Sequence, residues 1–281
     1  MKKYVFRYDI HIFLMYDENI KIIITEKKNI EIPKLIFIVP YRDREKHKEF
    51  FAAHMEEVMS DFKKTEYSIL YIHQCDKRPF NRGAMKNIGF LYVKNEYPND
   101  YQNINLIFND VDIMPFTKNF LNYETHKGNV KHYYGFEFAL GGILSIKGGD
   151  FEKTNGFPNL WAWGYEDNEF QKRVIANGLH IDRSEYYPMF DKNILNVHTS
   201  NERVVNKLEY TKYKKNINDG FNTLQNISYT FDEKTGFVNV TSFETIHKYD
   251  PAQDKIHDIK NGNIPYSSRG YKNPAMKLSL F

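Results

Sequence analysis

The chain has 281 residues, 41% of them hydrophobic, enough for one substantial core, and a net charge of +3 that creates no field for wrapping nucleic acid. A single cysteine, Cys75, excludes an internal disulfide. Arg7, Asp9 and His11 interrupt any leader-like stretch and no run approaches the roughly 20 apolar residues of a membrane span, which reads as a cytoplasmic chain without a transmembrane anchor.

Three segments are expected: an N-terminal strand extension over 1–33, a main domain over 34–243 and a polar C-terminal tail over 244–281. In the first, Lys21 to Thr25 belongs to a strand pair or cap. Leu35 to Val39 is a continuous apolar run with the β-branched content of a buried parallel strand, ended by Pro40. Phe51, Met55, Val58, Met59 and Phe62 recur at helical spacing, predicting a helix from about Arg44 to Phe62. Ser68 to His73 returns to strand. Asn81 then precedes a helix in which Met85, Ile88 and Tyr92 share a face, and Ile104 to Phe108 is a third strand. This alternation predicts an α/β fold with a central, mostly parallel sheet flanked by helices. Farther on come strands around Gly141-Gly142, a Trp-rich turn, and a helix from Glu166 to Ala176 stopped at Asn177-Gly178.

Ligands of such sheets bind beyond the carboxyl ends of the strands, and polar clusters follow each of the three: Pro40 to Arg44, Gln74 to Arg82, and Asn109 to Asp112. Asp110-Val111-Asp112 offers hard oxygen ligands for Mn²⁺ or Mg²⁺ bridging a diphosphate, and if extended both acids point the same way; solvated loop acids are the ordinary alternative. Arg42, Arg44 and Arg82 suit phosphate oxygens and the Phe80 ring suits a base, against the alternative of surface arginines and a helix-capping Asn81. Both tryptophans, Trp161 and Trp163, stand just before the acids Glu166 and Asp167, a pairing of flat rings and carboxylates that fits a sugar site; core packing and complementation of the helix dipole are the competing explanation. His198 is either a nitrogen ligand for the same metal or a structural histidine.

In order, Phe37 to Arg44, Phe80-Asn81-Arg82-Gly83, Asp110-Val111-Asp112, Gly141-Gly142, Asn155-Gly156-Phe157, Trp161 to Asp167 and Asp219 to Leu224 resemble the β-1,4-galactosyltransferase family across roughly residues 35 to 230. The resemblance implies a GT-A fold, a UDP-sugar donor, a carbohydrate acceptor, Mn²⁺ and inversion to a β-linkage. It puts Pro40, Tyr41, Arg42, Arg44, Phe80 and Arg82 at the nucleotide, and Asp110 near the ribose beside Val111. Asp112 and His198 fall on the metal, Gly142 and Trp163 around the donor, and Glu166 and Asp167 in the catalytic cleft, with Asp167 as base. Thr199 to Asn216 corresponds to a loop that closes over donor together with Trp163.

This chain departs from the family at four positions. Leu195 and Asn196 stand where relatives carry further metal ligands, leaving Asp112 and His198. Ala139 replaces a ring found in galactose-specific members, which leaves room for an N-acetyl group. Asn168 replaces a third acid and, with Trp161, implies a different acceptor. The alternatives are a retaining GT-A transferase of another family and a catalytically inactive carbohydrate-binding protein on the same fold.

Overall fold

The computed structural model describes residues 12–17, 20–25, 31–197, 202–215 and 218–258. The chain separates into two compact units, Met1–Ile32 and Pro33–Phe281. In the first, β1 (Ile12–Asp17) and β2 (Ile20–Thr25) pair antiparallel.

In the second unit the expected alternation is present. β3 (Leu35–Tyr41), α1 (Glu45–Val58), β4 (Tyr67–Gln74), α2 (Arg82–Glu96) and β5 (Asn105–Asn109) follow one another, and β3 pairs parallel with both β4 and β5. After β5 come β6 (Ile113–Pro115), β7 (Asn129–Gly135), β8 (Ile143–Lys147), α3 (Gly148–Lys153), α4 (Glu166–Ala176), β9 (His180–Asp182) and β10 (Tyr187–Pro188). β11 (Ile194–Asn196), β12 (Glu202–Val205), α5 (Lys207–Tyr213), β13 (Gln225–Asp232), β14 (Phe237–Glu244) and β15 (Lys255–Asp258) complete the described chain.

The central sheet runs β10-β7-β8-β5-β3-β4-β14-β13, with β9 also on β7. It is mixed. The middle, β5-β3-β4-β14, is parallel, whereas β8 runs antiparallel to β5 and to β7. Side chains of β3 alternate between two cores, as the period of a strand requires. Ile36 and Ile38 join Met85, Ile88 and Phe90 of α2 on one face. Leu35, Phe37 and Val39 join Phe51 and Met55 of α1 on the other. At about 1.5–3 kcal/mol per fully buried large apolar side chain, these two layers fix the sheet and so the position of its edge.

Two local expectations change. The first helix ends at Val58 rather than Phe62, because Met59 already leaves helical geometry while its N–H still bonds the Met55 carbonyl. Gly141-Gly142 is a loop, and the strand begins only at Ile143. The reason is that Gly142 has φ +70°, outside any strand conformation. The polar stretch from Thr245 to Asp258 folds back on the main unit: Trp161 Nε1 donates to Thr245 Oγ1 at 3.0 Å, and β15 pairs with β12. Residues 259–281 lie outside the described residues.

Candidate active site

The cluster is organised from the start of α2. Asn81 is the helix cap: its side-chain oxygen accepts from Ala84 N at 2.8 Å while its own N–H donates to Gln74 Oε1 at 2.8 Å. That cap aims Arg82, the first helical residue, across the end of β5. Its Nη2 lies 2.8 Å from both carboxylate oxygens of Asp110, and Nη1 is 3.4 Å from Glu166 Oε1. Asp167 Oδ2 is 4.0 Å from Nη2. One helical turn on, Lys86 Nζ is 2.7 Å from Asp167 Oδ1. Burial opposes the Arg82 charge, but Asp110, Glu166, Asp167 and Asp112 together outweigh it and raise the guanidinium pKa. Burial, then the neighbouring Asp167, pushes Glu166 up, and its Oε2 accepts from Gly164 N at 3.1 Å.

Asp110-Val111-Asp112 is a turn between β5 and β6, so the condition under which both acids would point the same way, an extended backbone, is not met. Asn109 builds the turn by donating through Nδ2 to Asp110 O at 2.7 Å and Ile113 O at 2.8 Å. Val111 is buried. Asp110 thus pairs with Arg82, and Asp112 is the second acid of the motif, at the β6 end of the turn. Its charge acts on Arg82, Tyr134 and Arg203. Beside it runs β11: Asn196 is in register with Ile113, and Val197 N donates to the Asp112 carbonyl at 2.8 Å. Asn196 Nδ2 donates to the Tyr134 hydroxyl at 3.1 Å. The Asp112 carboxylate is of the hard-oxygen type that suits a divalent cation. His198 lies outside the described residues, among which no three His, Cys, Asp or Glu side chains gather as a metal group.

Register carries the paired glycines to the same place. β8 starts opposite the end of β5, with Ile143 across from Asn109, and Asp110 N donates to Gly142 O at 3.1 Å. A Cβ on Gly141 would overlap Asp167 Oδ2, and one on Gly142 would overlap the Tyr134 carbonyl. These are contacts only glycine allows. Leu140 N donates to the Asp167 carbonyl at 3.2 Å, tying the loop to the start of α4. Behind it His132 is wedged between Arg183 Nε and the Gly141 carbonyl, each at 3.2 Å. Burial, then the Arg183 charge, pushes this imidazole down to about 4. Ala139 is buried at the same loop, and Asn168 Nδ2 donates to Phe138 O at 3.1 Å.

Other sequence candidates are engaged within the protein. Pro40 and Tyr41 are buried in β3, and the Tyr41 ring packs edge-on against His73 and Phe237. Arg42 bonds Asp43 and the Arg78 carbonyl. Arg44 occupies the cap position of α1, and its charge reaches Arg203. Phe80 packs against the core beside α2. Trp161 is 2% exposed and stacked on Phe243 at 5.2 Å, so it is a core residue and offers no open platform for a sugar. Trp163 is more open; its backbone N–H donates to Val204 O at 2.7 Å and the Arg203 guanidinium is 5.9 Å from its ring.

Three participants escaped the sequence reading. Arg203 feels Arg82, Asp112, Arg44 and Asp110 together. Glu209 accepts from Trp161 N at 2.7 Å and Ala162 N at 2.9 Å, and burial pushes it up to about 7. Lys86 sits inside a helix face that reads as apolar. Only Glu209 left a signal: Asn206 and Glu209 have capping-box spacing, and the Asn206 side chain does accept from Glu209 N at 3.0 Å.

Two abutting family models match, the N-terminal region of glycosyl transferase group 7 over residues 26–124 and the N-terminal domain of galactosyltransferase over 125–196, together more than half of the chain. Among curated proteins, the xylosylprotein 4-β-galactosyltransferase of Caenorhabditis elegans is 34% identical over 162 residues, 53% of each chain. The β-1,4-galactosyltransferase 7 of Drosophila melanogaster is 27% identical over 243 residues, 83% of this chain and 67% of that one. Human β-1,4-galactosyltransferase 7 is 32% identical over 159 residues, 53% of this chain and 46% of that one. The chain spans about half the length of the worm and human relatives it matches. The crystal structure of a Drosophila β-1,4-galactosyltransferase 7 variant with manganese, UDP-Gal and xylobiose shares the fold, with a TM-score of 0.55 at 20% identity over 78% of this chain and 96% of that one. The fold is therefore of the GT-A type, and the chain belongs to the β-1,4-galactosyltransferase family, glycosyltransferase group 7.

Proposed function

We propose that this chain is an inverting, metal-dependent transferase that moves a hexose or N-acetylhexosamine from a UDP-sugar to a carbohydrate hydroxyl, forming a β-linkage. One observation carries the reading: Arg82 draws Asp110 from a strand end and Glu166 from a helix start into one cluster, with Asp167 at its border. A pure binding protein has no need of a leaving-group metal and a base together.

Asp112 and His198 would hold the cation, Mn²⁺ in the Drosophila relative's crystals, with Mg²⁺ the alternative. Bound there, the ion supplies charge neutralisation for the departing diphosphate. Arg82, Arg44 and Arg203 bring the positive side chains to that edge. Asp167 takes the proton of the acceptor hydroxyl as its oxygen attacks the anomeric carbon from the face opposite the leaving group, which is the geometry that inverts. Glu166 fixes the Gly164 turn ahead of it through the bond to Gly164 N. The small Ala139 favours UDP-GalNAc or UDP-GlcNAc over UDP-Gal. The segment from Thr199 to Asn216, which carries β12 and α5, closes over bound donor together with Trp163.

The test is a screen of UDP-Gal, UDP-GalNAc, UDP-GlcNAc and UDP-Glc with Mn²⁺ and with Mg²⁺, using xylobiose as one acceptor and NMR of the product anomer. A β-product supports the reading. An α-product assigns the chain to retention, and absence of turnover with every donor alongside tight sugar binding assigns it to carbohydrate binding.

A further inference from the structure

Lys86 is 2% exposed, and its ammonium lies 2.7 Å from Asp167 Oδ1 and 4.3 Å from the centre of the Phe157 ring. A buried ammonium is costly unless paired, so its presence inside a packed helix face asks for a reason. It follows Arg82 by four residues, which places both cations on one side of α2 facing the start of α4. They reach different oxygens. Lys86 takes Oδ1, while Oδ2 stands 4.0 Å from Arg82 Nη2 and lies over Gly141, where no side chain intervenes. The other charged or titratable groups facing Asp167 are Glu166 on its own helix and His132 from β7.

We propose that Lys86 is a positioning residue for sugar transfer, fixing Asp167 through Oδ1 so that Oδ2, turned over Gly141, is the oxygen that takes the acceptor proton. This rests on the reading of Asp167 as base. In the step, the acceptor O–H proton passes to Oδ2 and the new bond forms between acceptor oxygen and anomeric carbon. The bond to the diphosphate breaks with its electron pair leaving on UDP, and Lys86 keeps its protons throughout.

Lys86→Met, Lys86→Arg and Asp167→Asn, made in the full chain, separate this from a strut between α2 and α4. The readouts are kcat and KM with the UDP-sugar turned over by wild type, calorimetry with UDP and Mn²⁺, and Tm. Lys86→Met is expected to lower kcat about tenfold or more while leaving acceptor KM and the affinities for UDP and Mn²⁺ within about twofold. Lys86→Arg is expected to restore most of the lost rate. A folded Lys86→Met with wild-type kcat, beside an inactive Asp167→Asn, overturns the positioning role alone. Asp167→Asn at wild-type rate overturns the base and this inference together. Should Lys86→Met fail to fold, a folded Lys86→Arg decides: most of the wild-type rate supports the role, and a rate as low as that of Asp167→Asn overturns it.

Discussion

Arg82 Nη2 stands 2.8 Å from both oxygens of Asp110, a bond that crosses 28 residues of sequence and closes the end of β5 against the start of α2. Because Nη1 also serves the buried Glu166, the guanidinium neutralises acids from two elements at once. Arg82→Ala is expected to cost about 3 kcal/mol of stability, since it strands those carboxylates, and to weaken UDP binding with Mn²⁺. Arg82→Lys should keep much of the stability but not the two-sided grip. Denaturant unfolding and UDP calorimetry on the two variants check this.

Gly141→Ala tests how closely the loop approaches Asp167, the proposed base. Its Cβ would overlap Asp167 Oδ2, so the carboxylate or the loop must shift. We expect kcat to fall about tenfold or more, as displacement of a reacting group does, with UDP affinity retained. Steady-state kinetics beside calorimetry measures both.

Glu209 gives the fold a pH dependence whose sign is fixed. Burial pushes its pKa up to about 7 from the ordinary glutamate value of 4.5, so the folded chain binds this proton more tightly than the unfolded one. The contribution to stability is complete below about pH 4.5 and is lost as pH rises through about 7. Wild type should lose of the order of 2 kcal/mol more than Glu209→Gln between pH 5 and pH 8 in urea unfolding. Parallel curves for the two would show that Glu209 is already ionised in the fold.

Ala139→Tyr addresses the donor. A ring placed at this buried loop position fills the volume an N-acetyl group needs, so the ratio of kcat/KM for UDP-GalNAc to that for UDP-Gal should fall about tenfold or more. An unchanged ratio would remove Ala139 from donor selection.

Legibility in the sequence followed the physics of each element. β3 and β5 were readable because a strand buried on both faces carries a continuous apolar run, β4 because its apolar centre Ile69 to Ile72 is bounded by polar residues, and the second helix because Asn81 caps it visibly. The antiparallel insertion of β8 beside β5 was not, since pairing partners far apart in sequence leave no local periodicity. The same limit hid Lys86 and Arg203, whose roles come from what faces them across the fold. Trp161 shows the converse: next to a cluster of acids it reads as a sugar platform, yet its stacking on Phe243 and its bond to Thr245 depend on residues some 80 positions away. The Asp-x-Asp motif was readable in composition but not in shape, because the turn is set by Asn109 side-chain bonds to the backbone.

The role of Asp167 is tested most directly by replacing its carboxylate with an amide of the same size and measuring sugar transfer and UDP–Mn²⁺ binding on the same preparation. Asp167→Asn should lose transfer almost entirely while binding both ligands as wild type does, because it removes a group that acts in the transition state. A variant that kept more than about a tenth of the rate, a barrier change of only ~1.4 kcal/mol, would place the base elsewhere.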